Sequence, residues 1–155
     1  MESELGIVLR EQQAVVSFLL SRVALAAGEE RRLAFEALAR ALFAHLSVLR
    51  SVLLPNAGDT EFSRQAAASA RLVAGLVART IVEQRGVGPD HDIQALMSSV
   101  LSLLAQESAL LKTGFGALPP QVQLSLAAKA EEEFTRLAGP CDEPDELPAR
   151  SGDLQ

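Results

Sequence analysis

The chain has no tryptophan and no tyrosine, and its six phenylalanines are all the aromatics it has. Apolar residues still make up 48% of it, so the hydrophobic mass is alanine, leucine and valine. That composition suits closely packed helices. One cysteine, Cys141, excludes an intramolecular disulfide and fits a cytoplasmic chain. Basic runs interleaved with aromatics are missing, and 14 Lys and Arg against 20 Asp and Glu leave a net charge of −6. The electrostatic footprint of a nucleic-acid binder is therefore absent. No 18-residue apolar run spans a membrane, and Met1-Glu2-Ser3-Glu4 is acidic where a signal peptide starts basic. The expectation is a cytoplasmic protein with neither nucleic acid nor membrane as partner. At 155 residues, one domain can bury a core without a disulfide or metal to hold it.

The hydrophobic period is that of helices. Val8, Leu9, Val15, Val16, Leu19, Leu20 and Val23 recur at threes and fours and predict a first helix over about Gly6 to Ala27, closed by Gly28. A second runs from Glu29 to about Leu54 with Leu33, Phe35, Leu38, Leu42, Phe43, His45, Leu46 and Leu49, stopped by Pro55. Asp59 or Thr60 caps a third over Glu61 to Gln84, rich in small residues. The Gly/Pro loop containing His91 precedes a fourth over about Ile93 to Thr113, and a shorter fifth covers Gln121 to Leu137. In this last helix Glu131, Glu132 and Glu133 read as a solvated face. Beyond it, residues 139–155 carry Pro140, Pro144 and Pro148 and four of the six net negative charges, and read as a disordered acidic tail. The reading is all-α: an up-down-up-down four-helix bundle over 1–138, with a short fifth helix appended.

The stretch ALFAHLSVL, Ala41 to Leu49, has a weaker echo in SLLAQESAL, Ser102 to Leu110. Aligned without a gap, they set His45 against Gln106 and Leu49 against Leu110. In each, a polar residue stands four before a leucine, one turn apart on one helix face, which is metal-ligand spacing without a full set of ligands.

These features resemble the hemerythrin, or HHE cation-binding, family over about Gly6 to Leu137. FAHLSVLRSVLLP, Phe43 to Pro55, is similar to that family's helix-two pattern from its His to its terminal Pro. LPPQVQLSLAAKAEEEF resembles the helix that follows the bundle in bacterial members. The resemblance implies a four-helix fold and a di-iron site, but the ligands do not carry over. His45 matches the helix-two His, whereas Leu49 stands at the carboxylate and Gln106 at the helix-four His, with Leu110 and Leu111 near its acidic partner. Gln13 fits the helix-one His best, with Gln12 the neighbouring alternative; Ala70 and Ala74 fall at the helix-three positions.

Several iron ligands are thus replaced by Gln, Leu and Ala, and no metal and no cofactor is expected. Three uses remain for such a scaffold. His45, Gln13 and Gln106 form a hydrogen-bonded cluster serving stability. Or Leu49, Ala70, Ala74 and Leu110 line the former metal cavity around an apolar small molecule, with Gln13 or Gln106 orienting His45 as a catalytic acid or base. Or the scaffold is a non-catalytic interaction or regulatory module, such as a homodimer. Residual metal or haem binding through His45 is a further alternative, without a second axial ligand or a Cys-x-x-Cys-His attachment to support it.

Overall fold

The computed structural model describes residues 3–84 and 90–139, and every regular element among them is helical. The loop 85–89, the side chain of His91, Cys141 and the acidic tail expected beyond Gly139 lie outside the described residues.

Helix α1 spans Glu4–Leu25, two residues earlier than Gly6 because Ser3 caps it, its Oγ accepting from Gly6 N at 3.1 Å. Gly28 does not close α1 as expected. Its φ of +61° lets the chain turn within two residues and open α2, Gly28–Val48. Arg31 Nε donates to Ala26 O, a carbonyl at the free end of α1. Beyond Val48 the helix widens into a π-helical turn, Leu49–Leu53, and then tightens into a 3₁₀ turn, Leu54–Asn56, that holds Pro55. Helix α3, Glu61–Gln84, starts with reciprocal caps in which Ser63 N donates to Thr60 Oγ1 and Thr60 N donates to Ser63 Oγ. Helix α4, Asp90–Leu110, also runs into a π-helical turn, Leu111–Phe115. The last helix, α5, covers Pro120–Ala138 and ends on Gly139 at φ +88°. At 19 residues it is nearly as long as the others, not the short appendage expected.

Helix α1 packs along α2 and α3 along α4, while α5 lies against both α1 and α2. Leu38, Leu42 and Leu46 line the buried face of α2, and Leu49 continues it into the π-helical turn. The run Gly28–Asn56 has a mean hydropathy of 1.5, apolar enough by composition to cross a membrane, but much of it is covered by protein, as in a core helix. Leu33 and Phe43, expected on the apolar face of α2, are 53% and 41% exposed. On α3 the small residues Ala66 and Ala70 are fully packed, whereas a Cβ added at Gly75 would meet open space. Arg71 and Arg79 on the same helix point to solvent.

Leu126, Ala127, Ala130 and Phe134 form the buried stripe that seats α5. At the edge of this seat Ser47 Oγ donates to Glu133 Oε2, and Arg136 donates to the same carboxylate. Glu133 is thus tied into the α2–α5 junction instead of lying on a wholly solvated face. The Ser47 hydroxyl, then Arg136, hold the Glu133 carboxyl below the usual carboxylate range. A lowered folded-state value contributes stability above the ordinary carboxylate range, which is lost as pH falls through that lowered value.

Two expectations follow for urea denaturation. Phe134→Ala should cost about 3–5 kcal/mol, since it empties the centre of the α5 seat. Ser47→Ala should be destabilising at neutral pH, and its difference from the unaltered chain should shrink on acidification to about pH 3.

Candidate functional site

Three of the buried stripes carry one polar residue each. On α1 the stripe is Leu5, Leu9, Gln12, Val16, Leu20 and Val23; on α2 and the π-helical turn after it, it is Leu38, Leu42, His45, Leu49 and Val52; on α4 it is Leu96, Val100, Leu103, Glu107 and Leu110. The spacing of threes and fours that buries the leucines also carries Gln12, His45 and Glu107 inward. They are 3%, 0% and 0% exposed.

They meet. His45 Nδ1 lies 2.9 Å from Gln12 Oε1, and His45 Nε2 lies 2.7 Å from Glu107 Oε1. Gln12 Nε2 donates to the backbone carbonyl of Ala130 on α5 at 3.1 Å, and Gln13 Nε2 donates to Glu107 Oε1 at 2.8 Å. Four helices therefore contribute to one polar junction inside an apolar core. The Ala130 carbonyl takes the Gln12 amino group, so the Gln12 oxygen faces the imidazole and Nδ1–H must donate to it. One proton then lies between Nε2 and Oε1, whether written as imidazolium and carboxylate or as imidazole and carboxylic acid. Either form of the pair is neutral overall, which suits a site with no solvent. Glu107 Oε2 and Gln106 Oε1 are buried without a hydrogen-bond partner.

The partners of His45 are one residue away from those expected in both neighbouring helices: Gln12 in place of Gln13, Glu107 in place of Gln106. For Glu107 the cause is the register of the echo. The π-helical turns start at Leu49 and Leu111, and within them Ser51 Oγ donates to Ser47 O and Thr113 Oγ1 to Ala109 O. All three correspondences are 62 residues apart, and the same offset sets His45 against Glu107, not Gln106. Of the other expected site residues, Leu49, Ala70 and Leu110 are packed into the core at 0%, 2% and 1% exposure, and Ala74 is half-buried against it. Gln13 reaches the junction through Glu107, while Gln106 has no bond to it.

The iron centre that the resemblance implies can be tested against this donor set. Both nitrogens of His45 are spent on Gln12 and Glu107, and Gln13 turns its amino group, not its oxygen, toward the carboxylate. Among the described residues, no three His, Cys, Asp or Glu side chains group where they could hold one ion. Free lone pairs do not converge, so these residues do not fit a di-iron centre. The same engagement leaves His45 no nitrogen for a haem iron.

A cleft of about 460 Å³ opens beside the junction, between the start of α1 and the end of α4. Its wall includes Ser3, Gly6 and Gln13 on one side and Ser108, Leu111 and Lys112 on the other. Arg10 also lines it and already has a partner of its own. Gln13 therefore belongs both to the cleft and to the buried junction.

The fold and site define an all-helical protein built around a buried imidazole–carboxyl pair. No protein-family model, curated protein or solved structure matches the chain.

A mutant cycle measures how tightly the pair is coupled. Glu107→Leu alone leaves His45 Nε2 and the Gln13 amide without a partner and should cost about 3–5 kcal/mol in chemical denaturation. His45→Leu combined with Glu107→Leu should recover part of that loss, giving a coupling of about 1–3 kcal/mol. Additive losses would mean that the two residues act independently.

Proposed function

We propose that this chain is a metal-free, hemerythrin-like bundle working as a non-catalytic binding or regulatory module in the cytoplasm. In this reading α1 to α4 form the up-down-up-down set, α5 covers the outer side of α1 and α2, and the polar junction occupies the place of a metal centre. The observation that carries it is the state of His45: no exposed surface and a hydrogen bond on each ring nitrogen. A general acid or base must reach its substrate directly or through one water. This imidazole instead faces α1 and α4 and serves to hold them.

The reading with an apolar ligand beside His45 has less support, because Leu49, Ala70 and Leu110, expected to line its cavity, are themselves packed into the core. Hemerythrin-like ancestry is supported by the helical spacing, the two matched π-helical turns and the inward convergence of polar residues from α1, α2 and α4.

Two measurements on purified protein test the proposal. Elemental analysis after expression in iron-supplemented medium should find no stoichiometric iron, and a ratio near one or two irons per chain would overturn it. Diethyl pyrocarbonate, followed by mass spectrometry, should leave His45 unmodified in the folded protein and modify it in the urea-unfolded chain. Ready modification of folded protein at His45 would mean that the imidazole is accessible and the catalytic reading returns.

A further inference from the structure

We infer that the cleft between α1 and α4 binds a small amino carboxylate, a molecule with an ammonium and a carboxylate a few bonds apart. This deepens the reading of a non-catalytic binding module and rests on it for the biological role, although the chemistry is argued from the cleft alone.

The two ends of the cleft offer opposite chemistry. At the outer end is the Lys112 ammonium, with no hydrogen bond or ion pair to neutralise it. Ser3 and Gly6 bring the first turn of the 22-residue helix α1 to the same wall, where the positive end of its dipole adds to the lysine. A carboxylate is matched to that end. The inner end offers two acceptors, next to an Arg10 that already has a partner of its own. Gln13 spends its amino group on Glu107, which leaves its Oε1 without a partner at the cleft wall. Ser108 donates its hydroxyl proton to Leu104 O and keeps its lone pairs. Glu107, which holds Gln13 in this orientation, is fully buried and lies outside the cleft wall. An ammonium is matched to this end, since it donates three hydrogen bonds and accepts none.

The spacing suits a small molecule. Gln13 bonds Glu107, and Lys112 lies five residues further along the same helical path, about 7 Å on. An amino carboxylate with a hydrogen bond at each end spans that length, and about 460 Å³ is room enough for it.

The test uses glycine, β-alanine and γ-aminobutyrate as probes, with acetate and ethylamine as the two half-molecules. Thermal shift and the side-chain amide signals of Gln13 in ¹H–¹⁵N spectra read the outcome. At least one amino carboxylate should raise the Tm and move the Gln13 amide signals. Acetate and ethylamine should each bind about tenfold more weakly or worse, and exposed Lys112→Gln should weaken binding by about tenfold without lowering the Tm of the ligand-free protein. No response to any amino carboxylate at about 50 mM would overturn the inference. So would acetate binding as well as the amino acids, or Lys112→Gln binding unchanged. An unresponsive cleft in iron-free protein ends this inference and leaves the non-catalytic reading standing, whereas stoichiometric iron ends that reading whatever the cleft binds.

Discussion

The contact on which the rest of the structure depends is the 2.7 Å hydrogen bond between His45 Nε2 and Glu107 Oε1. Neither side chain has any exposed surface, so neither can turn to water for a partner. Protein alone can satisfy them, which it does for both ring nitrogens and for Glu107 Oε1 but not for Oε2, and the network spreads outward. Gln12 takes the other ring nitrogen and passes its amino group to the Ala130 carbonyl, while Gln13 supports the carboxyl. A mismatch of α4 by one residue would leave Leu110 and its stripe facing wrongly and the imidazole unpaired. The junction is thus a device for register as much as for stability.

On the proposed reading, that arrangement takes the place of a metal centre between the helices. A di-iron centre ties helices together by placing shared cations between their side chains. Here a shared proton and two amides make the same connections, and leucines and alanines fill what remains. The chemistry is different in kind. An ion between helices leaves open coordination positions for substrate, whereas the proton between His45 and Glu107 leaves none. The ligand inferred above would sit at the edge of the junction, in the cleft that shares Gln13 with it.

Much of the architecture was legible in the apolar periodicity. Five helices and the inward-facing His45 followed from residue spacing, because burial of a leucine stripe leaves few other ways to place it, while the choice between Asp59 and Thr60 as the cap of α3 was left open. The partners of His45 were misplaced by one residue. Aligning the two nonapeptides by their letters favoured Gln106, while the buried stripe Leu103, Glu107, Leu110 in the same helix already carried the better signal: an acidic residue at a core position. Gln12 shows the same pattern between Leu9 and Val16. Nothing in the letters marks the π-helical turns at Leu49 and Leu111 that reveal the true offset, since widening a helix depends on how its end packs. The length of α5 was underestimated because Pro120 and Ala138 lack strong periodic signals at the helix ends, where Pro at the first position and Gly139 beyond the last are what set the bounds.

The central claim is that both ring nitrogens of His45 are held by protein. Long-range ¹H–¹⁵N spectra of the imidazole measure this directly. The account expects a ring proton at Nδ1 and a second, downfield signal shared between Nε2 and Glu107, both exchanging slowly with water. A freely exchanging ring with an unengaged nitrogen would contradict it.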